Sequence, residues 1–207
     1  FHKAERNSIQ FLRAVATEGH RLAQYDIPLP QGAEDMTGII IPKKTIQELR
    51  KVLDDADGDI NISLNENKIK FSFNKFKIIS KVIDGTFPDY TKVIPKDNDK
   101  KFSTKNTELK NAIDRVSAVA VNEEAKSKAI KLSIENNKMY LKVESQSKGS
   151  ADETIDINYN NEKVDIGFNS RYLTDICNEV DGDEIDINLY DSISPAIILD
   201  KTCLLYT

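Results

Sequence analysis

Two stretches of this chain, far apart in the sequence, follow the same pattern. IPKKTIQELRKVLDDADGDINISL occupies positions 41–64, and FNSRYLTDICNEVDGDEIDINL occupies positions 168–189. Each runs from the end of a strand through an amphipathic helix to an Asp-Gly-Asp turn and an Ile-x-Ile-x-Leu strand. A repeat with a spacing well over 100 residues has the size of a whole domain, not of a solenoid unit. The sequence therefore predicts two related domains.

Strands dominate the rest of the pattern. Apolar residues alternate at 60–64 and 69–73 around the turn Asn65-Glu66-Asn67, and at 130–134 and 139–143 around Asn136-Asn137. Both patterns predict a hairpin with one buried face. Two further strands are predicted at 155–159 and 164–168. Such tight connections join antiparallel strands, because a parallel pair needs a long crossover.

Three segments have helical periodicity instead, at 45–53, 108–119 and 170–180. Thr107 is the predicted cap of the second helix, and Asn169 or Ser170 that of the third. The predicted fold class is α+β, with short helices packed on mainly antiparallel sheet in each domain. The polar, proline-led stretch 95–101 is the predicted joint between the domains.

Composition sets only broad limits on the partners of this chain and on its environment. Acidic residues exceed basic ones by only five, so the total charge predicts no partner. No apolar run approaches the roughly 18 residues that cross a bilayer, which argues against membrane insertion. Two cysteines without Cys-x-x-Cys spacing favour structural thiols in a reducing compartment. The chain lacks an initiator Met and closes on an apolar run, and we interpret it as a fragment.

The stretch VATEGHRLA at 15–23 raises the question of catalysis, because it places Glu18, His20 and Arg21 together. A catalytic histidine needs a nucleophile or a metal as partner, and the sequence contains no nucleophile elbow, phosphate loop or zinc-binding helix motif. We therefore interpret His20 as a hydrogen-bonding or ligand-binding residue and predict no catalytic residues.

The acidic turns at 54–59 and 181–183 suggest calcium at first sight. Aligning either glycine with the invariant glycine of an EF-hand loop leaves apolar or otherwise unsuitable residues at the ligand positions. We interpret both as solvated turns at the start of a strand. The sequence predicts no metal and no cofactor.

Basic residues concentrate on the first two predicted helices. They are Lys43, Lys44, Arg50, Lys51, Lys110 and Arg115. Basic helices combined with acidic turns suit a polyanion that contacts only one face of the protein. The alternative is an ordinary solvated helix surface.

Six short blocks of the sequence resemble those of a known protein family. They are VATEGHRLA at 15–23, GIIIPKKTIQEL at 38–49, KVIDGTFPDYTKVIPK at 81–96, AKSKAIKL at 125–132, IGFNSRYLTDI at 166–176 and LYDSISPAIIL at 189–199. In this order they resemble the bacterial sliding clamp family, the beta subunit of DNA polymerase III. The resemblance implies repeated DNA-clamp domains, three per subunit, and a ring of two subunits around DNA. It implies most of the middle domain at 1–92 and nearly all of the third at 93–207.

The resemblance also implies a peptide-binding groove between these two domains. Its residues here would be Thr17, Gly19, His20, Arg21, Leu22, Pro88, Lys92, Val93, Asn169, Tyr172, Ile193 and Pro195. Lys92 stands where the family frequently has arginine, and Pro195 where a small polar residue is common. Both departures affect the fine preference for a peptide.

The partners implied are double-stranded DNA, encircled without sequence specificity, the polymerase III alpha subunit, the clamp loader and other proteins with a clamp-binding motif. The basic residues above would face the DNA, and the full-length protein would be a cytoplasmic homodimer acting at replication forks in the nucleoid. Ring closure would use an edge near 119–121. The implied role is that of a processivity subunit without catalytic activity of its own. The holoenzyme to which it would belong is a DNA-directed DNA polymerase, which is a nucleotidyltransferase.

Two other functions stay open on sequence grounds. One is a metal-dependent nuclease or nucleotidyltransferase with magnesium held by the Asp-rich turns. The other is a protein-interaction module without a DNA role.

Overall fold

The computed structural model describes residues 1–53, 58–118, 129–145 and 149–200. Within these ranges, mostly antiparallel strands combine with three α-helices, which confirms the predicted α+β class. The strands are β1 (His2–Arg6), β2 (Ile9–Thr17), β3 (Leu22–Pro28), β4 (Asn61–Leu64), β5 (Lys68–Phe73), β6 (Phe76–Lys81), β7 (Lys100–Lys105), β8 (Ala129–Glu135), β9 (Lys138–Ser145), β10 (Gly149–Asp156), β11 (Val164–Asn169), β12 (Glu184–Leu189) and β13 (Ile197–Asp200). The helices are α1 (Lys43–Leu53), α2 (Asn106–Ser117) and α3 (Ser170–Glu179), and a 3₁₀ turn covers Tyr90–Lys92.

The chain divides into two compact units. The first comprises Phe1–Val15 and Asp26–Asp89, and the second comprises Ala16–Tyr25 and Tyr90–Thr207. The turn that joins β2 to β3 therefore belongs to the second unit, although most of the surrounding sequence belongs to the first.

The second unit has two sheets and two helices. One sheet has the order β10-β9-β8-β11 and the other has the order β13-β12-β7. Helices α2 and α3 pack against each other, α2 also packs against β7, β9 and β10, and α3 packs against β11. Inward-facing residues of both sheets and both helices form one continuous apolar core.

Asparagine residues make the hairpin turn of this unit. Asn136 and Asn137 both have positive φ, at 53° and 62°, between the paired residues Glu135 and Lys138. Positive φ at both central positions is the type I′ geometry whose twist matches that of the flanking strands, and Asn tolerates it better than most residues. The predicted hairpin of β8 and β9 is confirmed.

The first unit has a smaller core among its described residues. Strands β4, β5 and β6 form a sheet in that order, and α1 supplies one of the four core residues, Leu49, Ile69, Phe71 and Phe73. The predicted turn at Asn65 is confirmed: its side-chain oxygen accepts hydrogen bonds from the backbone N–H groups of Asn67 (3.1 Å) and Lys68 (2.8 Å). The predicted buried face is confirmed only for β5, because Ile60, Ile62 and Leu64 are 37–48% exposed.

Other local predictions differ from the structure. Residues 155–159 were predicted as a strand, but the strand is Gly149–Asp156, earlier in the sequence. Its side chains are mostly small or polar, so the sequence lacks a strong apolar alternation there. Thr107 is not a cap, since α2 already begins at Asn106 and Lys105 occupies the cap position without a side-chain hydrogen bond.

Asn169 is confirmed as the cap of α3, since its side chain accepts from the N–H of Arg171 at 3.0 Å. Sequence patterns did not predict β1, β2, β3, β6, β7 or β13. Most of the acidic turn at 54–59, the edge at 119–121 and the apolar end of the chain lie outside the described residues.

Candidate functional site

The turn between β2 and β3 holds the residues that first suggested chemistry. The hydroxyl of Thr17 donates to the carbonyl oxygen of Arg21 at 2.8 Å and accepts from the N–H of Gly19 at 3.3 Å. The N–H of Glu18 also donates to the Arg21 carbonyl, at 3.3 Å. Gly19 has φ +94°, a conformation that side chains with a Cβ rarely adopt. The backbone of this turn is therefore closed by its own hydrogen bonds.

Arg21 extends from this turn to α3. Its Nη1 lies 2.7 Å from Oδ2 of Asp175, and its Cζ lies 4.1 Å from the centre of the Tyr172 ring. Its Nε lies 3.5 Å from Oε1 of Glu18. Partial burial lowers the pKa of Arg21, but the hydrogen bond and negative charge of Asp175 outweigh it, so the pKa is raised overall. Arg21 is a fixed cation stacked on an aromatic ring.

His20, in contrast, is exposed and makes no hydrogen bond or ion pair within the part of the chain that the structure describes. Proton transfer by a histidine needs a reacting group within hydrogen-bond reach. The geometry therefore gives no support to a general base at this position.

The loop after β12 carries two further residues of the predicted groove, Ile193 and Pro195. The carboxylate of Asp191 accepts from the N–H groups of Ile193 (3.0 Å) and Ser194 (2.6 Å). These bonds also hold the pKa of the Asp191 carboxyl below its usual range, because they favour the ionised form. The loop presents the side chain of Ile193 at 89% exposure.

Asn98 fixes the same loop from the other side. Its side-chain amide donates to the carbonyl oxygens of Asn188 (3.0 Å) and Pro195 (2.9 Å), and the residue is only 7% exposed. Sequence reasoning did not single out Asn98 or Asp191. The Asp-Ser-Ile-Ser-Pro sequence is typical of an Asx turn and could have indicated Asp191, whereas nothing local indicates Asn98.

Most of the predicted groove residues fall in the second compact unit. These are Thr17, Gly19, His20, Arg21, Leu22, Lys92, Val93, Asn169, Tyr172, Ile193 and Pro195, whereas Pro88 belongs to the first. Leu22 is 8% exposed and so packs mainly against its own chain, whereas Val93 is 62% exposed. Contacts join Arg21 to Tyr172, while the side-chain oxygen of Asn169 is used in capping α3.

The predicted DNA-facing residues have different electrostatic environments. Lys43 and Lys44 are exposed in the first turn of α1, which has no acidic residue, and neither makes an ion pair within the described ranges. Positive charge at a helix N-terminus opposes the helix dipole, so local stability does not explain these two lysines.

Two of the other four basic residues are paired with acids. Lys51 lies 2.9 Å from Glu48, and Arg115 forms a two-point ion pair with Glu153 at 2.6 and 3.1 Å. The hydrogen bond that Arg115 donates to Glu153 raises the pKa of the guanidinium; desolvation opposes this increase, and the negative charge of Glu153 adds a smaller one. Lys110 is half-buried and Arg50 is exposed.

No group of three or more metal-ligating side chains occurs among the residues that the structure describes. The second Asp-Gly-Asp turn is held by protein groups, since the N–H of Asp181 donates to the buried Asp200 carboxylate at 3.0 Å. None of the described helices combines the length and apolar character needed to cross a bilayer.

Two α+β units with helices and antiparallel sheet are the architecture that DNA sliding clamps also have. The structure is similar over its whole length to a DNA polymerase III subunit beta sliding clamp from Bartonella birtlesii LL-WM9, with a TM-score of 0.92, 40% identity and coverage of 60% of that chain. The griselimycin-bound form of a Bartonella birtlesii clamp matches with a TM-score of 0.88, 40% identity and coverage of 56% of that chain.

Sequence comparison agrees. The central-domain profile of the DNA polymerase III beta subunit matches residues 3–89, and the C-terminal-domain profile matches residues 91–203. The beta sliding clamp of Caulobacter vibrioides (strain NA1000 / CB15N) is 39% identical over 189 residues, which are 91% of this chain. The chain spans about half the length of the curated relatives it matches. It belongs to the bacterial DNA polymerase III beta subunit family of sliding clamps.

Proposed function

We propose that this chain is the part of a DNA sliding clamp that binds the peptides of polymerases and other replication proteins. The observation that carries the proposal is Ile193, an isoleucine held at 89% exposure by a loop fixed by Asn98 and Asp191. A partner can cover an apolar side chain on a fixed backbone with little loss of order. Val93 and Tyr172 of the same unit would extend the proposed apolar surface, to which Leu22 would add only the small part of its side chain that is exposed.

The binding strength follows from the small size of such a surface. A peptide that buries a leucine and a phenylalanine gains roughly 1.5–3 kcal/mol from each. Hydrogen bonds to the peptide backbone from Arg21, His20 and Asn169 add to this gain, and ordering the peptide reduces it. We expect a dissociation constant near 1 μM, about −8 kcal/mol. This affinity suits partners that exchange on the clamp.

The proposed groove consists of the twelve residues implied by the family resemblance, and it transfers no protons. Family membership supports a non-catalytic role. The proposed domains are 1–92 and 93–207. A boundary there is supported by the division of compact units after Asp89 and by the two family profiles, which meet near residue 90.

DNA is the second proposed partner. Lys43 and Lys44, with Arg50, Lys51, Lys110 and Arg115, would contact phosphates without reading bases, because a clamp that recognised sequence would stop moving. The full-length protein would encircle duplex DNA as a homodimer in the cytoplasm, where the chromosome lies. A polymerase alpha subunit tethered to the ring stays at high effective concentration and rebinds before it escapes. The clamp loader would use the same peptide groove.

The peptide proposal is tested by titrating the full-length subunit with a fluorescent Gln-Leu-Ser-Leu-Phe peptide. Ile193→Asp should weaken binding at least about 30-fold, since it removes the apolar contact and places a charge in the groove. The matched control is Ile79→Asp on β6, another exposed isoleucine (64%) outside the proposed groove, which should bind normally. Absence of binding to the unmodified protein, or equal binding by both variants, contradicts the proposal.

A further inference from the structure

Asp175 is a residue of the site that neither the repeat nor the family resemblance singled out. It lies on α3, 154 positions after Arg21, and its carboxylate is 2.7 Å from the Arg21 guanidinium. Tyr172, whose ring lies under that guanidinium, is three residues before Asp175 on the same helix. Residues three apart on a helix are neighbours on one face. Arg21 therefore contacts two adjacent side chains of α3 from a different element of the same unit.

Backbone hydrogen bonds fix the main chain of Arg21, but they do not set the direction of its side chain. Hydrogen bonds from Thr17 and Glu18 hold the carbonyl oxygen of Arg21, and these bonds do not involve the guanidinium. A long arginine side chain has several rotatable bonds, so its end needs another partner to stay in one place. Asp175 supplies the shortest contact that the guanidinium makes.

Glu18 is the other acidic neighbour, and it differs from Asp175 in two ways. Its carboxylate is 3.5 Å from the guanidinium, which is beyond a normal charge-assisted hydrogen bond. It is also three residues before Arg21 in the same turn, so it does not connect that turn to α3. Both carboxylates are about equally exposed, at 47% for Glu18 and 45% for Asp175. The two residues form a natural matched pair.

We propose that Asp175 is a positioning residue of the peptide site: it holds the guanidinium of Arg21 against the Tyr172 ring and so fixes both groups before a peptide arrives. The proposal rests on the proposed function of this surface. Pre-fixed side chains raise affinity because less freedom is lost on binding. Asp175 therefore acts through Arg21 and needs no contact with the peptide.

The test uses the full-length subunit and the same fluorescent pentapeptide. Asp175→Ala should weaken binding about fivefold to tenfold, whereas Glu18→Ala should change it less than about twofold. Alanine suits the interior of α3, so helix formation is retained. Asp175→Glu keeps the negative charge. It should therefore recover at least about half of the binding free energy that Asp175→Ala loses.

A double-mutant cycle separates positioning from a general structural effect. In an Arg21→Ala background, Asp175→Ala should change binding less than about twofold, because the group through which it acts is gone. Equal losses from Asp175→Ala with and without Arg21, or normal binding by Asp175→Ala, overturn the inference. Ile193→Asp is measured in parallel. If Ile193→Asp binds the peptide normally, the proposed function itself fails. If Ile193→Asp loses binding while Asp175→Ala binds normally, only the positioning role of Asp175 is rejected.

Discussion

Strands β4 and β12 share the Ile-x-Ile-x-Leu pattern and occupy the same place in the two repeats, but their surroundings differ. Ile185, Ile187 and Leu189 are 0–3% exposed, whereas Ile60, Ile62 and Leu64 are 37–48% exposed. β12 lies between β7 and β13, in a unit with two packed helices. β4 is the edge of its sheet, and the described part of its unit contains α1 alone.

The helices that precede these strands show the same difference. When the two repeats are aligned from Ile41 and Phe168, Arg50 of α1 matches Cys177 of α3. Arg50 is exposed and Cys177 is 4% exposed. Arginine and cysteine differ in their own preference for burial, but the same alignment matches Ile46, which is 39% exposed, with Leu173, which is 3% exposed. For this apolar pair, the covering elements decided which side chain became buried.

The largest effect is expected from truncating matched isoleucines. Ile187→Ala should reduce the free energy of unfolding by about 2–4 kcal/mol, because it leaves a cavity in a closed core. In this 207-residue chain, which spans about half the length of its relatives, Ile62→Ala should cost less than about 1 kcal/mol, since that side chain is 48% exposed. Amide hydrogen exchange, read separately for β12 and β4, assigns each loss to its unit. Similar losses at both positions would show that β4 is covered as fully as β12.

Thiol reactivity tests the two helices. In a Cys203→Ser background, Cys177 should react with a thiol reagent at pH 8 at least about 100-fold more slowly than a cysteine introduced by Arg50→Cys, because Cys177 reacts only when its unit opens. Denaturant should abolish the difference. A rapid reaction of Cys177 in the folded protein would contradict its burial.

The same thiol predicts a pH dependence. Burial raises the pKa of Cys177 from 9.0 to about 12, so the folded state favours the neutral thiol. Its contribution to stability is complete below pH 9, where the thiol is neutral in both states, and is lost as the pH rises from 9 towards 12. Cys177→Ala should show a smaller loss of stability over that range when unfolding is measured at each pH.

Gly58 and Gly182 occupy the same position in the two Asp-Gly-Asp turns. Replacing either by alanine should destabilise the protein, but for different reasons. A Cβ at Gly182 would lie 2.7 Å from the buried Asp200 carboxylate, whereas Gly58 has open space but a φ of +87°. Gly182→Ala should cost about 1–3 kcal/mol through crowding, and Gly58→Ala about 1–2 kcal/mol through backbone strain.

Asparagine distinguishes these causes, because it tolerates positive φ but is larger than alanine. Thermal unfolding should show that Gly58→Asn recovers part of the loss and that Gly182→Asn does not. Recovery at both positions would mean that backbone strain limits both turns.

The smallest effect concerns the basic helices. Replacing both Lys43 and Lys44 by Gln should reduce the slope of log affinity for duplex DNA against log salt by about 1.8. The comparison variant Lys51→Gln with Arg115→Gln should reduce the slope less, since Glu48 and Glu153 partly balance these two cations. Fluorescence anisotropy with the full-length subunit measures both. An equal change in the two variants would show that pairing with an acid does not decide which cations contact DNA.

The sequence by itself determined the class of fold and the repeat. Alternation, helical periodicity and the Asn-rich turns are local properties, so they identified β4, β5, β8 and β9, the three helices and the Asn169 cap. Strands with mostly polar or small side chains, such as β10 and β7, lack these signals and were missed or misplaced. The family resemblance indicated the groove residues, and their peptide-binding role stays a prediction.

Only the tertiary structure decided burial and the pairing of distant side chains. Asn98 reaches Pro195 across 97 positions, and Arg21 reaches Asp175 across 154. The physical reason is that a residue's own sequence sets its conformational preference, whereas its solvent exposure and its partners depend on which other elements pack beside it. That is why nearly identical Ile-x-Ile-x-Leu segments became a buried central strand in one unit and an exposed edge in the other.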